Sequence, residues 1–206
     1  MGYSLRVGPA ALVLALAAAV PARALDLVPF AGFRFGGSLS TASANPSVPT
    51  SLSIDSAVSY GAVVDVPIGG PRSIELYYSR QPTTVSGGNV FTPPLHDATV
   101  SVVQLGLVDA IPAEDPRLSW LLAGTLGVTE LQAANSSATD FSIGLGGGVL
   151  WMANEHFGLR GDLRALITFT GSSAGAISCG GGCSFAFHST AVAQGEASVG
   201  FVLRFR

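Results

Sequence analysis

The stretch Phe157-Gly158-Leu159-Arg160-Gly161-Asp162-Leu163-Arg164-Ala165-Leu166-Ile167-Thr168-Phe169 decides the fold. Alternate positions sort into two sets: Phe157, Leu159, Gly161, Leu163, Ala165, Ile167 and Phe169 against Gly158, Arg160, Asp162, Arg164, Leu166 and Thr168. Successive side chains of a β-strand point to opposite faces. Extended, the segment therefore has one apolar face and one face carrying three charges, whereas a helix would scatter those charges around its axis. A two-faced strand of this length is the unit of a transmembrane β-barrel.

The same sorting holds along the rest of the chain. Phe141, Ile143, Leu145, Val149 and Trp151 share a parity against Ser142, Gly144, Gly146 and Gly148. Trp120, Leu122, Leu126 and Val128 oppose Ser119, Thr125 and Thr129, and Val199, Phe201, Leu203 and Phe205 oppose Glu196, Ser198, Gly200 and Arg204. Eight such segments are predicted, over 26–36, 52–66, 73–81, 98–109, 118–131, 139–152, 157–169 and 189–205. The connections alternate in length. Long Ser/Thr/Gly/Pro-rich loops near 37–51, 82–97 and 170–188, and a shorter one near 132–138, contrast with tight turns at Ile68–Pro71, Pro112–Pro116 and Ala153–His156. Long loops outside and short turns in the periplasm are the outer-membrane arrangement. Both termini then lie on the periplasmic side, and Trp120, Trp151, Phe157 and Phe205 come to one rim, as an interfacial aromatic girdle needs.

Composition points the same way. Of 206 residues, 48% are hydrophobic and only 11% charged, against about 25% charged in an ordinary soluble domain. Every basic residue is Arg and the formal charge is −3, which leaves no basic footprint for nucleic acid. Residues 1–24 have the layout of a secretory signal peptide: Arg6, an apolar run from Ala10 to Val20, then Pro21 and Ala22-Arg23-Ala24. Cleavage after Ala24 would leave one domain, 25–206, at a charge of about −5 once Arg6 and Arg23 are lost. After Ala24 no apolar run approaches the length of a transmembrane helix.

The first strand, Pro29-Phe30-Ala31-Gly32-Phe33-Arg34-Phe35-Gly36-Gly37, the Gly-rich strand pairs and the C-terminal segment carry a resemblance. The chain resembles the small outer-membrane β-barrel proteins of Gram-negative bacteria, the eight-stranded class that includes OmpA-, OmpX- and OmpW-type barrels. In that class the last strand ends in a signal read by the barrel assembly machinery, and Ser198, Gly200, Phe201, Leu203 and Phe205 match it; the departure is Arg206, one residue beyond the terminal aromatic. The resemblance implies a lipid bilayer and the secretion and assembly machinery as partners, and it allows a narrow channel or carrier.

Turning the apolar parity to lipid sends Arg34, Asp65, Glu75, Arg160, Asp162, Arg164, Glu196 and Arg204 inward, with Gln104 and Gln194. An Arg facing lipid at mid-bilayer costs about 2–4 kcal/mol. Eight strands enclose a bore just wide enough for their own side chains, so paired Arg and carboxylate groups are expected to plug it. Ionisable groups at membrane depth are otherwise suspected of serving a pathway or proton-linked site.

Catalytic signals are weak. His96, His156 and His188 fall in loops or turns, and His188-Ser189 is a poor dyad because neighbours on an extended segment face opposite ways. Gly144–Gly148 lacks dinucleotide-loop spacing and is read as a curved, small-residue strand. Cys179 and Cys183 enclose three glycines in the last long loop and, in an exported chain, are expected to form a disulfide rather than a metal site. The sequence thus predicts a monomeric, non-enzymatic outer-membrane barrel without cofactor. Its plugged lumen leaves a structural or surface-interaction role to the loops; the rivals are a narrow channel and a rim-located lipid-modifying enzyme.

Overall fold

Eight long antiparallel strands close into a ring in the computed structural model, which describes residues 25–40, 51–87, 96–133, 136–170, 176–179, 183–186 and 191–205. In chain order the strands are β1 (Leu25–Gly36), β2 (Ser38–Ser40), β3 (Ser51–Ile54), β4 (Ala57–Gly69), β5 (Arg72–Gly87), β6 (His96–Pro112), β7 (Leu118–Ala133), β8 (Ser136–Met152), β9 (Phe157–Phe169), β10 (Ala176–Cys179), β11 (Cys183–Ala186) and β12 (Val192–Phe205). Neighbours around the ring run β1-β4-β5-β6-β7-β8-β9-β12, and β12 pairs back onto β1. Closure removes the exposed edge that an open sheet would present.

Register fixes the shape. A walk around the ring from Asp26 passes through Asp65, Glu75, Gly106, Thr125, Gly144, Leu166 and Gln194 and returns to β1 at Gly36, ten residues further along. A stagger of that size tilts the strands by about 40°. On β9 the odd positions Leu159 and Leu163 are exposed while Arg160, Arg164 and Leu166 are buried. The outer wall carries Phe33, Leu105, Leu122, Leu126, Leu145, Leu163, Val199 and Phe201, all exposed.

One end of the ring holds the chain ends Leu25 and Phe205 with three tight connections. Gly69 and Gly70 take φ of 136° and 59°, a backbone region that glycine enters without penalty, and the two-residue turn Gly70-Pro71 joins β4 to β5. Between β8 and β9, the Asn154 Oδ1 accepts from the His156 and Phe157 amides, at 2.9 Å each.

At the other end the structure corrects three expectations. The strand predicted over 52–66 is broken at Asp55-Ser56 into β3 and β4, which both pair with β5 but with the register shifted by one residue across the break. Ile54 is buried while the even-numbered Val58 and Tyr60 are exposed, so the parity flips at the break. The Asp55 carbonyl, freed from the ladder, accepts from Thr83 Oγ1 at 2.6 Å and Gln81 Nε2 at 3.3 Å. In the loop predicted near 82–97, residues 82–87 and 96–97 are strand, since β5 and β6 stay paired to Val85–His96, and 88–95 lie outside the described residues. The loop near 132–138 is likewise strand up to the Ala133–Ser136 pair. Alternation of apolar residues marks only the part of a strand with an apolar outer wall, whereas ladder hydrogen bonds continue beyond it.

The outer-wall assignment makes a direct prediction. Leu163→Arg places a guanidinium in the middle of the apolar wall and is expected to destabilise the barrel in lipid vesicles by about 2–4 kcal/mol, read from urea unfolding. Leu166→Val, inside the bore, is expected to cost about 1 kcal/mol.

Candidate functional site: the charged bore

Strand geometry alone brings distant charges together. β9 directs Arg160, Asp162 and Arg164 inward, β4 and β5 direct Asp65 and Glu75 inward, and β1 and β12 bring Arg34 and Glu196 into register. Arg160 donates to three acids: Nη1 to Asp65 at 2.6 Å, Nη2 to Glu75 at 2.7 Å and Nε to Asp162 at 2.7 Å. Glu75 also accepts both terminal nitrogens of Arg164, at 2.7 and 3.0 Å. Charge-assisted bidentate pairs of this kind are strong and geometrically specific.

A second cluster lies toward the end away from the termini. Arg34 donates through Nε to Glu196 at 2.9 Å and through Nη2 to the Ser79 hydroxyl at 2.5 Å. Ser79 and Tyr77 both donate to Glu196. Tyr77 joins the two clusters: its ring stacks on Phe30 with centroids 5.7 Å apart and carries the Arg164 guanidinium 4.3 Å above it. Arg34 and Glu75 are wholly shielded from solvent, and Arg160 and Glu196 nearly so.

The structure places Gln104 beside Thr125 and Ser142, accepting from Thr125 Oγ1 at 2.8 Å and donating to Ser142 Oγ at 3.0 Å. Gln194 approaches the Gly36 carbonyl at 3.4 Å. Arg204 stands apart from the central charges and pairs with Asp26 through both Nε and Nη2, at 2.8 and 2.7 Å. Asp26 is absent from the set of sequence candidates although its position one residue into β1 and its even parity with Arg34 mark it as inward. Tyr77 was also missed, because a lone Tyr among apolar and polar neighbours carries no sequence signal for such a bridge.

Apolar side chains share the bore with the charged and polar ones. Val28, Phe30, Val63, Val100, Val102, Leu166 and Val202 are buried with the charges as part of one apolar core. Room for the long Arg side chains comes from the inward glycines of β8: a Cβ on Gly146 would stand 3.0 Å from the Arg164 side chain, and one on Gly148 2.9 Å from Asp162 Oδ1. A Cβ on Gly144 would lie 2.4 Å from Thr125 Oγ1 and 2.5 Å from Gln104 Oε1. The Gly144–Gly148 run therefore makes space for the polar interior. A vestibule of about 370 Å³, lined by Asp26, Asp65, Arg160 and Arg204 among others, opens at the end bearing the tight turns.

Trp120, Trp151, Phe157 and Phe205 all point outward and are exposed. They stand on the consecutive strands β7, β8, β9 and β12 near the end with the termini, so they form an arc over half the circumference; Ile68 and Ile111 occupy the other half. In the last strand Phe201 and Phe205 are outward, and Ser198 and Gly200 inward; a Cβ on Gly200 would stand 2.8 Å from the Pro29 carbonyl. His156 is exposed in the β8–β9 turn. His188 and the side chains of His96, Cys179 and Cys183 lie outside the described residues, as does the segment 1–24; the backbones of Cys179 and Cys183 face each other across β10 and β11. Among the described residues no group of three or more His, Cys, Asp or Glu side chains is arranged to hold a metal.

No family model and no curated protein matches the chain. Solved structures do. The outer membrane protein OprG from Pseudomonas aeruginosa aligns with TM-score 0.61 and 12% identity over 90% of this chain and 97% of its own. Neisserial surface protein A aligns with TM-score 0.58 and 13% identity over 87% and 96%. AlkL, an outer membrane protein solved in lipid bilayers, aligns with TM-score 0.55 and 11% identity over 91% and 93%. The likeness is one of fold: the chain has the architecture of the small eight-stranded outer-membrane barrels.

Glu75 holds two guanidinium groups; its loss leaves Arg160 with Asp65 and Asp162 but takes from Arg164 its close carboxylate, the next being Asp162 at 3.8 Å. Glu75→Gln is expected to cost about 3–5 kcal/mol, the usual effect of removing one partner of a buried ion pair, in urea titrations of the folded barrel in micelles. Exchanging Arg164→Met in the same chain is expected to recover part of that loss, because one uncompensated charge goes with it.

Proposed function

We propose that this chain, an eight-stranded barrel of the outer-membrane type, is exported with removal of residues 1–24 and sits in the outer membrane of a Gram-negative cell as a non-enzymatic protein with a sealed bore. Its termini and tight turns face the periplasm. The structural or surface-interaction role belongs to the connections at the opposite end, where β2, β3, β10 and β11 extend the chain beyond the ring. The observation that carries this reading is the complete burial of Arg34 and Glu75, with Arg160 and Glu196 almost as deep. Phe30, Tyr77 and Leu166 are buried in the same interior, which supports a bore without a continuous column of water.

The aromatic arc supports anchoring at the membrane interface, and the last strand is the segment offered to the assembly machinery. Cys179 and Cys183, opposite each other on paired strands, are proposed to form a disulfide that fastens the β10–β11 hairpin; directly opposed residues have Cβ atoms about 4.5–5.5 Å apart, within reach of a small rearrangement to disulfide geometry.

Purified protein in planar bilayers tests the sealed bore. No resolved single-channel steps are expected; reproducible unitary conductance would overturn the reading. Maleimide labelling tests the hairpin: unreduced protein is expected to take up no label and reduced protein two, whereas labelling without reductant would refute the disulfide.

A further inference from the structure

Near the end away from the termini the outer face carries a polar patch on β4, β5 and β6, with the Glu130 carboxylate, which accepts from Gln132 Nε2 at 2.8 Å, one strand further on opposite Ser101. Arg80 on β5 points outward and is exposed, with Tyr60 directly opposite on β4 and Ser101 directly opposite on β6. Tyr78, two residues earlier on β5, shares the same face. Each directly opposed pair brings Cβ atoms within about 5.5 Å of one another. Among the described residues, none forms a side-chain hydrogen bond or ion pair with Arg80, and the hydroxyls of Tyr60, Tyr78 and Ser101 have no such partner either. The contrast with the opposite end is instructive: Arg72 also faces outward there, but it is answered by Asp109 through two hydrogen bonds of 2.8 and 3.0 Å.

Depth decides what the unanswered cation meets. With strands inclined by about 40°, the register sets Arg80 level with Phe33 and just short of Phe35, both exposed outward-facing aromatics at the end away from the termini. A guanidinium at the boundary of an apolar belt extends its stem along the wall and its head toward the polar layer. What it meets there is lipid phosphate, and a planar guanidinium flanked by hydroxyl donors suits a phosphate better than it suits any neutral group.

We propose that Arg80, Tyr60, Tyr78 and Ser101 form a binding site for the phosphate of an anionic membrane lipid. Arg80 supplies the charge and paired donors. The two tyrosines supply hydroxyls and ring surface for the adjoining lipid, and Ser101 supplies a further donor. Because the chain as a whole is acidic, its general field repels an anionic lipid, and a preference for one has to be local.

The test reconstitutes the full barrel in phosphatidylcholine vesicles with and without phosphatidylglycerol and reads the lipid retained on the protein by native mass spectrometry. Wild type is expected to retain phosphatidylglycerol in preference to phosphatidylcholine. Arg80→Gln is expected to weaken that retention about tenfold, the order of one charge-assisted hydrogen-bonded contact, and Tyr60→Phe with Tyr78→Phe, which keeps both rings, to weaken it several-fold. Arg72→Gln, at the other rim, is expected to leave the preference intact. Equal retention by wild type and Arg80→Gln would overturn the site, as would an equal loss on Arg72→Gln, which would mark a general charge effect. If millimolar inorganic phosphate displaces phosphatidylglycerol from the protein in the mixed vesicles, a free anion and not a lipid is the ligand, and the assignment falls.

Discussion

Arg160 and Arg164, held on the single carboxylate of Glu75, fix which way every strand faces. The period of a strand is two, so a slip of one residue would move a whole set of side chains to the other wall. For β9 such a slip would put two guanidinium groups and the Asp162 carboxylate on the outer wall and bring Leu159 and Leu163 into the bore. In a closed ring each strand is paired on both sides, so an error in one register propagates to the next. Closure, charge pairing and the apolar outer wall therefore enforce one another.

The bore in turn demands glycine. On β8 the inward Gly146 leaves room for the Arg164 side chain, Gly148 for Asp162, and Gly144 for Thr125 and Gln104. The same strand carries Ile143, Leu145 and Val149 on its outer parity, which keeps the wall apolar while the interior is hollowed. Tyr77 then does for the interior what no ion pair can. It lies between the Arg160–Glu75–Arg164 group and the Arg34–Glu196 group, touching one through its ring and the other through its hydroxyl. The result is one continuous polar network embedded in packed valines, phenylalanine and leucine.

The eight ring strands were legible because the physics of a bilayer-facing wall is written at every second residue, and the inward charges followed from parity alone. Other features were hidden for identifiable reasons. The break at Asp55-Ser56 preserves apolar character on both sides, so Ile54 reads as a continuation of Val58 and Tyr60 although it faces the other way. Strand ends beyond the apolar wall, such as Thr83–Val85 and Ser136–Ala138, lose alternation while keeping backbone pairing. Asp26 sits at the start of its strand, where two or three residues are too few to establish a period. Pairings within the bore depend on stagger around the ring, which spacing along the chain does not encode: Arg160 finds Glu75 across 85 positions of sequence.

The most direct measurement is oxygen accessibility of spin labels placed singly from 157 to 169 in the barrel reconstituted in lipid. Inward packing of Arg160, Asp162 and Arg164 requires accessibility that alternates along the strand, high at 159, 163, 165 and 167 and low at 160, 162, 164 and 166. High accessibility at 160, 162 and 164, or no period of two, would contradict the charged face turning toward the barrel axis, and with it the sealed interior.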